Sequence, residues 1–409
     1  MAQQSQIDDF LLLQRVAQRI SSILDLDALL EQIVDDVAQT FGYTRSAILL
    51  LAPGGREVVI AAVRGWTSHY HVKGERFPAS AGMIGHVVQT GKTCYAPDVS
   101  RNPYYMVSEA STRSEVDIPI TARGQLIGVF NAQHPNLDAF PPPRLQLLEA
   151  LAGHLGVAIA NARLFERERK EKERMLQELA EARAIQSRLF PKQPPQVPRF
   201  RISGLSQPCL AVGGDWYDYI QLPGGRVAVV VGDVAGKGTG AALLMASTRS
   251  ILRLHAEHGG SPSAVLTAVN RVLLADLPTA KFITMIYAVL DPERGTLTFA
   301  NAGHLPPILV DASGSRPLIA KPELPLGVRA GTYSDQELTL MPASRLFLYS
   351  DGVIEARNAA LEEYGELRLL QHLATPLASV ESLLQDVLAH AQGEPVRDDI
   401  TIVAVEALV

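Results

Sequence analysis

Leu26, Leu29, Leu30, Ile33, Val34, Val37 and Phe41 recur at the three-and-four spacing that lays one apolar stripe along a helix, and Gly42 follows where a left-handed residue can end it. The period then changes. "SAILLL" (46–51), the turn "PGG" (53–55) and "REVVIAAV" (56–63) predict a strand hairpin. A short helix from Met83 to Gln89 stops at Gly91, "KTCYAP" (92–97) predicts a strand, and "SEVDIPI" (114–120) with "QLIGVFNAQ" (125–133) predicts a second hairpin. Leu148, Leu151, Leu155 and Ile159 begin a closing helix with no obvious stop. No proline interrupts Arg144 to Phe190, so up to 47 residues can be helical, roughly 70 Å at the standard rise.

The middle of that helix, "ERERKEKER" (166–174), is a mixed-sign run that fits a solvated face laced by pairs four apart. Met175, Leu179, Ala182 and Leu189 fall near a heptad seam that Gln186 interrupts, and too few heptads are clean to specify a coiled coil. "PKQPPQVP" (191–198) breaks the helix and marks a boundary. Beyond it, "RVAVVVGD" (226–233), "FITMIYAVLD" (282–291), "GTLTFANAG" (295–303), "LPPILVD" (305–311), "RLFLYSDG" (345–352) and "DDITIVAVE" (398–406) predict strands. Helices are expected over 239–258 and 261–276. Several connections between strands are short, which favours antiparallel pairing.

With 409 residues, two or three domains are expected. An apolar share of 47% and a charged share of 20% are those of a globular protein. The net charge of −6 and the lack of a long basic patch argue against nucleic-acid binding. Cys94 and Cys209 are the only cysteines and lie in no ligand-like spacing, which suits a reducing compartment. The beginning "MAQQSQIDDF" lacks the basic and apolar regions of a leader, and runs such as "VAVVV" are too short to span a bilayer. A soluble, cytoplasmic protein without membrane contact is the expectation.

Candidate chemistry lies at the strand ends. Asp233 ends "VAVVVGD", Asp351 ends "LFLYSD", and Asp398 with Asp399 precedes "ITIVAV". A carboxylate beside a buried run is costly unless it is paired or holds a cation. Lys237, Arg357 and Arg397 are the sequence-local cations, too few for all of them. Oxygen-only ligands select Mg²⁺ or Mn²⁺, and with Asp215 and Asp218 there are enough carboxylates for a two-metal site. An Asp-Gly pair such as 351–352 is by itself a common turn; several strand-end aspartates in one domain favour a metal site. "GDVAGKGTG" is no P-loop, because that motif needs Gly at 231 and Ser or Thr at 238, where Val231 and Gly238 stand. His304 in "NAGH" reads as a packed structural histidine.

"VGGDWYDYIQL", "VVVGDVAGKGTGAALLMA", "FITMIYAVLD", "FANAGHLPP", "LFLYSDGVIEARN" and "RDDITIVAV" occur in this order. Together they resemble the SpoIIE-type, RsbU-like serine/threonine phosphatases of the PPM superfamily, and "ELAEARAIQSRLFP" resembles the helix leading into that domain. The resemblance implies an α/β/β/α sandwich over 191–409, after a helical linker over 166–190. It implies that Asp233 bridges two Mn²⁺ or Mg²⁺ ions, with the Val234 carbonyl as a further ligand. Asp351 and Asp398 each take one metal, and Asp215 lies at the second. Asp218 and Asp399 adjoin these motifs as candidates one step outside the direct ligands. Asp233, Asp351 and Asp398 form the implied catalytic set. Such ions acidify water for in-line attack on phosphorus, so no side-chain nucleophile is needed.

"GMIGHVVQTGKTCYAPDVSRNPYY" and "SEVDIPITARGQLIGVFNAQHPNLDAFPPPRLQLLEALAGHLGVAIANARLF" resemble a GAF domain, expected over 20–165. GAF domains hold small molecules or serve as dimerising struts, and the sequence does not name a ligand. Cys94 reads as a packed cysteine, and His69 and His71 as loop residues in preference to metal ligands. The expectation is therefore an α+β chain of GAF sensor, helical transmitter and phosphatase, forming a homodimer. Its expected substrate, by the resemblance, is a phosphorylated anti-anti-sigma (STAS) protein acting in trans. The alternatives are a GAF-dimer docking module with an inactive phosphatase fold, and a metal-dependent nucleotide enzyme.

Overall fold

A computed structural model describes residues 26–66, 71–319 and 321–408; His69 lies outside them. The chain divides between Glu173 and Arg174 into two compact units.

The first unit runs α1 (Leu26–Phe41), β1 (Arg45–Leu51), β2 (Glu57–Arg64), β3 (Arg76–Pro78), α2 (Gly82–Thr90), β4 (Cys94–Ala96), β5 (Ser114–Ala122) and β6 (Gln125–His134), and then enters α3 (Pro142–Ser187). Its strands form one antiparallel sheet in the order β3-β2-β1-β6-β5-β4. Strand alternation sorts the side chains. Ile48, Leu50, Ile118, Phe130 and Ala132 face the apolar stripes of α1 and α3. Ala47, Leu49, Val58, Ile60 and Val129 face the other side, where α2 contributes Met83 and Val87.

α3 is the one described helix long and apolar enough, by length and composition, to cross a membrane. Its apolar face is spent elsewhere: Leu148, Leu151, Leu155 and Ile159 are at most 2% exposed in the core of this unit. Each contributes about 1.5–3 kcal/mol on burial. The close approach depends on Gly156, where a Cβ would lie 1.9 Å from the Thr121 carbonyl oxygen.

The second unit continues with β7 (Phe200–Gln207), β8 (Trp216–Gln221), β9 (Val227–Val234), α4 (Thr239–Glu257), α5 (Pro262–Asp276), β10 (Ile283–Asp291) and β11 (Thr296–Ala302). It ends with β12 (Ile308–Asp311), β13 (Gly314–Pro317), β14 (Gln336–Thr339), β15 (Arg345–Tyr349), α6 (Gly365–Leu373), α7 (Val380–Ala391) and β16 (Ile400–Ala407). Two antiparallel sheets result, β14-β11-β10-β9-β8 and β13-β12-β15-β16-β7. Val227, Val229 and Val231 of β9 meet Leu346, Leu348, Val403 and Val405 between the sheets. Ala228, Val230 and Val234 face α4 and α5 instead. On the far side, Phe347, Tyr349, Ile400 and Ile402 pack against α6 and α7. Because β9 is buried on both faces, it reads as a continuous apolar run. The architecture is the expected α/β/β/α sandwich.

Candidate metal centre at the ends of the two sheets

Antiparallel pairing sets the C-terminal end of β9 beside the N-terminal end of β8, and that of β15 beside that of β16. These ends carry the candidate carboxylates: Asp215 just before β8, Asp233 and Val234 closing β9, Asp351 two residues after β15, and Asp398 and Asp399 just before β16. Oxygens of Asp351, Glu355 and Asp398 lie within 4.8 Å of one another. Asp233 in turn acts electrostatically on both Asp215 and Asp351, so the two sheets present one cluster.

The cluster is held against its own repulsion. Burial pushes the Asp215 carboxyl well above the usual range, and the neighbouring Asp233 charge pushes the same way. Asp351 is pushed up to about 7, first by burial and then by Asp233, Asp398 and Glu355. Asp233 is raised chiefly by burial. Asp215 is 3% exposed, and its Oδ2 is buried without a hydrogen-bond partner. Among the described residues the salt bridge to this cluster is Lys237 Nζ to Asp398 Oδ2 at 2.7 Å; Lys237 also donates to the Arg397 carbonyl. Arg357, another sequence-local cation, pairs with Glu363 at 2.7 Å instead. Buried oxygen donors with so little compensating charge fit hard divalent cations.

The Val234 carbonyl belongs to the same surface. Its β10 neighbour Ile283 exchanges both backbone bonds with Leu326 and makes none with Val234. A Cβ on Gly214 would stand 2.9 Å from the Val234 oxygen, so the glycine keeps that carbonyl uncovered. Past Val234 the chain turns through Gly236, at φ 105°, into α4. That left-handed value suits glycine alone.

Three fasteners fix the geometry. Asp399, 4% exposed, accepts from the amides of Cys209 (2.8 Å) and Gly214 (2.8 Å), holding the segment before Asp215. A Cβ on Gly352 would meet the Asp399 carbonyl oxygen at 2.1 Å, so the turn carrying Asp351 packs directly on it. Gln186, in the last turn of α3, donates to the Gly213 carbonyl (2.7 Å) and accepts from the Gly213 amide (3.1 Å). His304 spans the two sheets, with Nδ1 on Thr284 Oγ1 (2.7 Å) and Nε2 on the Tyr349 carbonyl (3.1 Å). Burial lowers its pKa to about 4. A neutral ring accepts from Thr284 and donates to Tyr349, the structural role expected of it.

Asp218 corrects the sequence reading. On β8 it alternates with Trp216 and Ile220, which face α4 and α5, whereas Asp233 alternates with the valines that face the opposite sheet. The two carboxylates therefore point to opposite faces of their sheet. Asp218 is fully buried and engaged by Arg253 (2.6 Å to each oxygen) and Arg249 (3.0 Å), fastening α4 to β8. Glu355 was absent from the sequence expectation. It stands four residues after Asp351 on a single helical turn, its amide bonded to the Asp351 carbonyl at 2.9 Å. The cysteines are quiet: Cys94 is buried and Cys209 is pushed up to about 11 by burial and Asp399, so neither is a ready thiolate.

Residues 223–408 match the family model described as stage II sporulation protein E (SpoIIE), and residues 25–159 match the GAF domain model. The chain thus carries a GAF-like region followed by a SpoIIE-like region, which together span most of its length. The chain is similar to Protein IcfG of Synechocystis sp., 28% identical over 260 residues, covering 56% of this chain and 41% of that protein. It is also similar to phosphoserine phosphatase RsbU of Bacillus subtilis, 29% identical over 232 residues, covering 55% of this chain and 69% of that protein. The chain thus spans less than half the length of the first of these relatives. In fold it matches the SiaA-PP2C domain of Pseudomonas aeruginosa with a TM-score of 0.52 at 22% identity, over 58% of this chain and 98% of that one.

Proposed function

We propose that this chain is a signal-regulated, metal-dependent protein serine/threonine phosphatase. The observation that carries the reading is the carboxylate cluster, with Asp215, Asp233, Asp351 and Asp398 crowded at one end of two sheets and, among the described residues, one salt bridge to them, from Lys237. These four, with the Val234 carbonyl, would hold two Mn²⁺ or Mg²⁺ ions, and Glu355 is placed to join them. Bound there, such ions would supply an acidified water and offset charge on the phosphoryl oxygens. The protein's own part is positional: Asp399, Gln186 and His304 hold the donors in register, and neutral His304 supplies no proton near neutral pH.

The inferred substrate is a phosphoserine or phosphothreonine on a small anti-anti-sigma (STAS) protein in a partner-switching pathway. Its support is the family resemblance and the name phosphoserine phosphatase carried by RsbU. We take residues 20–165 as the sensor, 166–190 as the transmitter and 191–409 as the catalytic domain, in a cytoplasmic homodimer. Val157 and Leu164, one heptad apart on α3 and 55% and 49% exposed, support pairing with a second copy. The test is hydrolysis of p-nitrophenyl phosphate and of a phosphoserine protein under Mn²⁺ titration, for the wild type and Asp351→Asn. Ion-dependent turnover that the substitution removes is expected. Turnover without ions, or turnover that survives Asp351→Asn, would sink the proposal.

A further inference from the structure

On the α2 side of the first unit's sheet lies a cavity of about 170 Å³. Its walls are apolar and aromatic, with Leu49, Ile60, Met83, Trp66, Phe77 and the ring of His71. Trp66, His71 and Phe77 stand in a row, their ring centroids 5.9 and 5.6 Å apart. The floor is of the opposite character. Glu115 from β5 and Asn131 and Gln133 from β6 line it at 6%, 3% and 2% exposure.

Hydrogen bonds across that floor leave acceptors over. Asn131 Nδ2 donates to Glu115 Oε1 (2.9 Å) and Asp117 Oδ1 (2.8 Å), and Gln133 Nε2 donates to Glu115 Oε2 (3.1 Å). Asn131 Oδ1 and Asp117 Oδ2 are buried without a partner, as is the indole Nε1 of Trp66. Arg45, opposite Gln133 in the sheet, turns its guanidinium to Ser111 (2.6 Å) and Thr112 (3.3 Å). Among the described residues no salt bridge reaches Glu115 or Asp117, and burial raises both carboxyls. Leaving an acceptor such as Asn131 Oδ1 unpaired costs about 1–3 kcal/mol, an expense that a ligand bearing donors would remove.

We propose that this cavity is a receptor site for a small organic cation, an ammonium on a compact apolar body, with the ammonium at Glu115 and Asn131 Oδ1 and the body against Trp66 and Phe77. Carboxylate and ring faces both attract such a charge. An anion would meet uncompensated acid, and a metal ion would find apolar walls in place of a shell of oxygens. A cavity of ~150 Å³ accepts benzene, so this one suits a body of roughly six to eight non-hydrogen atoms. The inference goes beyond the phosphatase reading and does not depend on it.

Three probes of matched shape decide it by calorimetry on the full chain at mildly alkaline pH, which favours the ionised form of acids that burial has raised: benzylammonium, benzyl alcohol and benzoate. Benzylammonium should bind at least about tenfold more tightly than the alcohol, and benzoate should not bind. Glu115→Gln, with its fold checked by circular dichroism, should erase the preference while keeping the alcohol. Equal or tighter binding of the alcohol or benzoate overturns the proposal. So does a preference that survives Glu115→Gln, or the failure of all three probes to bind. Should the variant not fold, the wild-type comparison alone still decides, and no outcome depends on turnover.

Discussion

Asp218→Asn separates the structural account of this carboxylate from one in which it serves the metals. Asp218 is fully buried, receives both nitrogens of Arg253 at 2.6 Å and Arg249 at 3.0 Å, and also accepts from the Tyr219 amide at 2.8 Å. The amide keeps the shape and one acceptor but turns a donor toward two guanidinium groups. Removing one partner of a buried pair costs about 3–5 kcal/mol. The arginines differ in escape. Arg253 is 39% exposed and can find water, whereas Arg249 is 15% exposed and stays trapped. The expected loss is therefore toward the lower end, about 3 kcal/mol.

The assay is urea unfolding of the full chain, following emission from Trp216, which is 1% exposed and two residues from Asp218 on β8. Trp66→Phe serves as the background, so that the other unit is silent. Adding Arg249→Met should restore part of the loss, because the stranded charge is gone. The Mn²⁺ concentration for half-maximal turnover should stay within about twofold, since Asp218 faces away from the cluster. A rise of roughly tenfold in that requirement with the unfolding midpoint unchanged would refute the assignment.

Gln186→Ala strands the Gly213 amide and carbonyl, a penalty of about 1–3 kcal/mol per group; the Mn²⁺ requirement should rise severalfold, and an unchanged titration would count against the fastener. Gly352→Ala forces a Cβ to within 2.1 Å of the Asp399 carbonyl, so both stability and ion affinity should fall; a thermal midpoint and Mn²⁺ titration like the wild type would contradict this. The first unit should lose stability as pH rises. Asp117 is raised from 3.8 to about 7 in the folded state, so between those values the folded chain holds a proton that the unfolded chain has shed. Its stabilisation is whole below about pH 4 and is lost through pH 7, on the order of 4 kcal/mol. Thermal unfolding of this unit at about pH 5 and pH 8 checks the sign, and greater stability at the higher value would reverse it.

How much of this was legible depended on burial pattern. β9 was plain because both its faces are covered, and Asp233 and Asp351 stood out by interrupting such runs. β7 was not: "FRISGLSQ" is an edge strand whose Ser206 bonds to Thr401 (2.9 Å), so its polar positions carry no apolar period. α6 and α7, of 9 and 12 residues, offer too few turns for their buried Leu369, Leu373, Leu383 and Val387 to declare a stripe. Asp218 was misjudged because closeness in sequence to Asp215 says nothing about which face of a strand a residue takes. Gln186 was visible only as a flaw in a heptad. The structure makes it a buried side chain with two specific bonds, and Leu189 after it packs on the core of the second unit instead of extending a seam.

The fasteners share a thermodynamic property. Each grips the chain beside a carboxylate: Gln186 holds the Gly213 backbone, two residues before Asp215; Asp399 holds the neighbouring Gly214 amide; His304 holds the Thr284 hydroxyl, opposite Asp233, and the Tyr349 carbonyl, two residues before Asp351. Crowding these acids is unfavourable in their charged forms, so ions bound there as proposed would stabilise the same arrangement as the fasteners, and their free energies would be linked. Weakening any fastener would then raise the ion concentration the site needs. Asp399 and His304 belong to the sheet ends and connecting turns. Gln186 alone comes from a helix outside both sheets, and so is the fastener that a movement of that helix can loosen while the sheets stay intact. In the regulation proposed here, that is where an input acts: on the affinity of the centre for its ions, through two hydrogen bonds to Gly213.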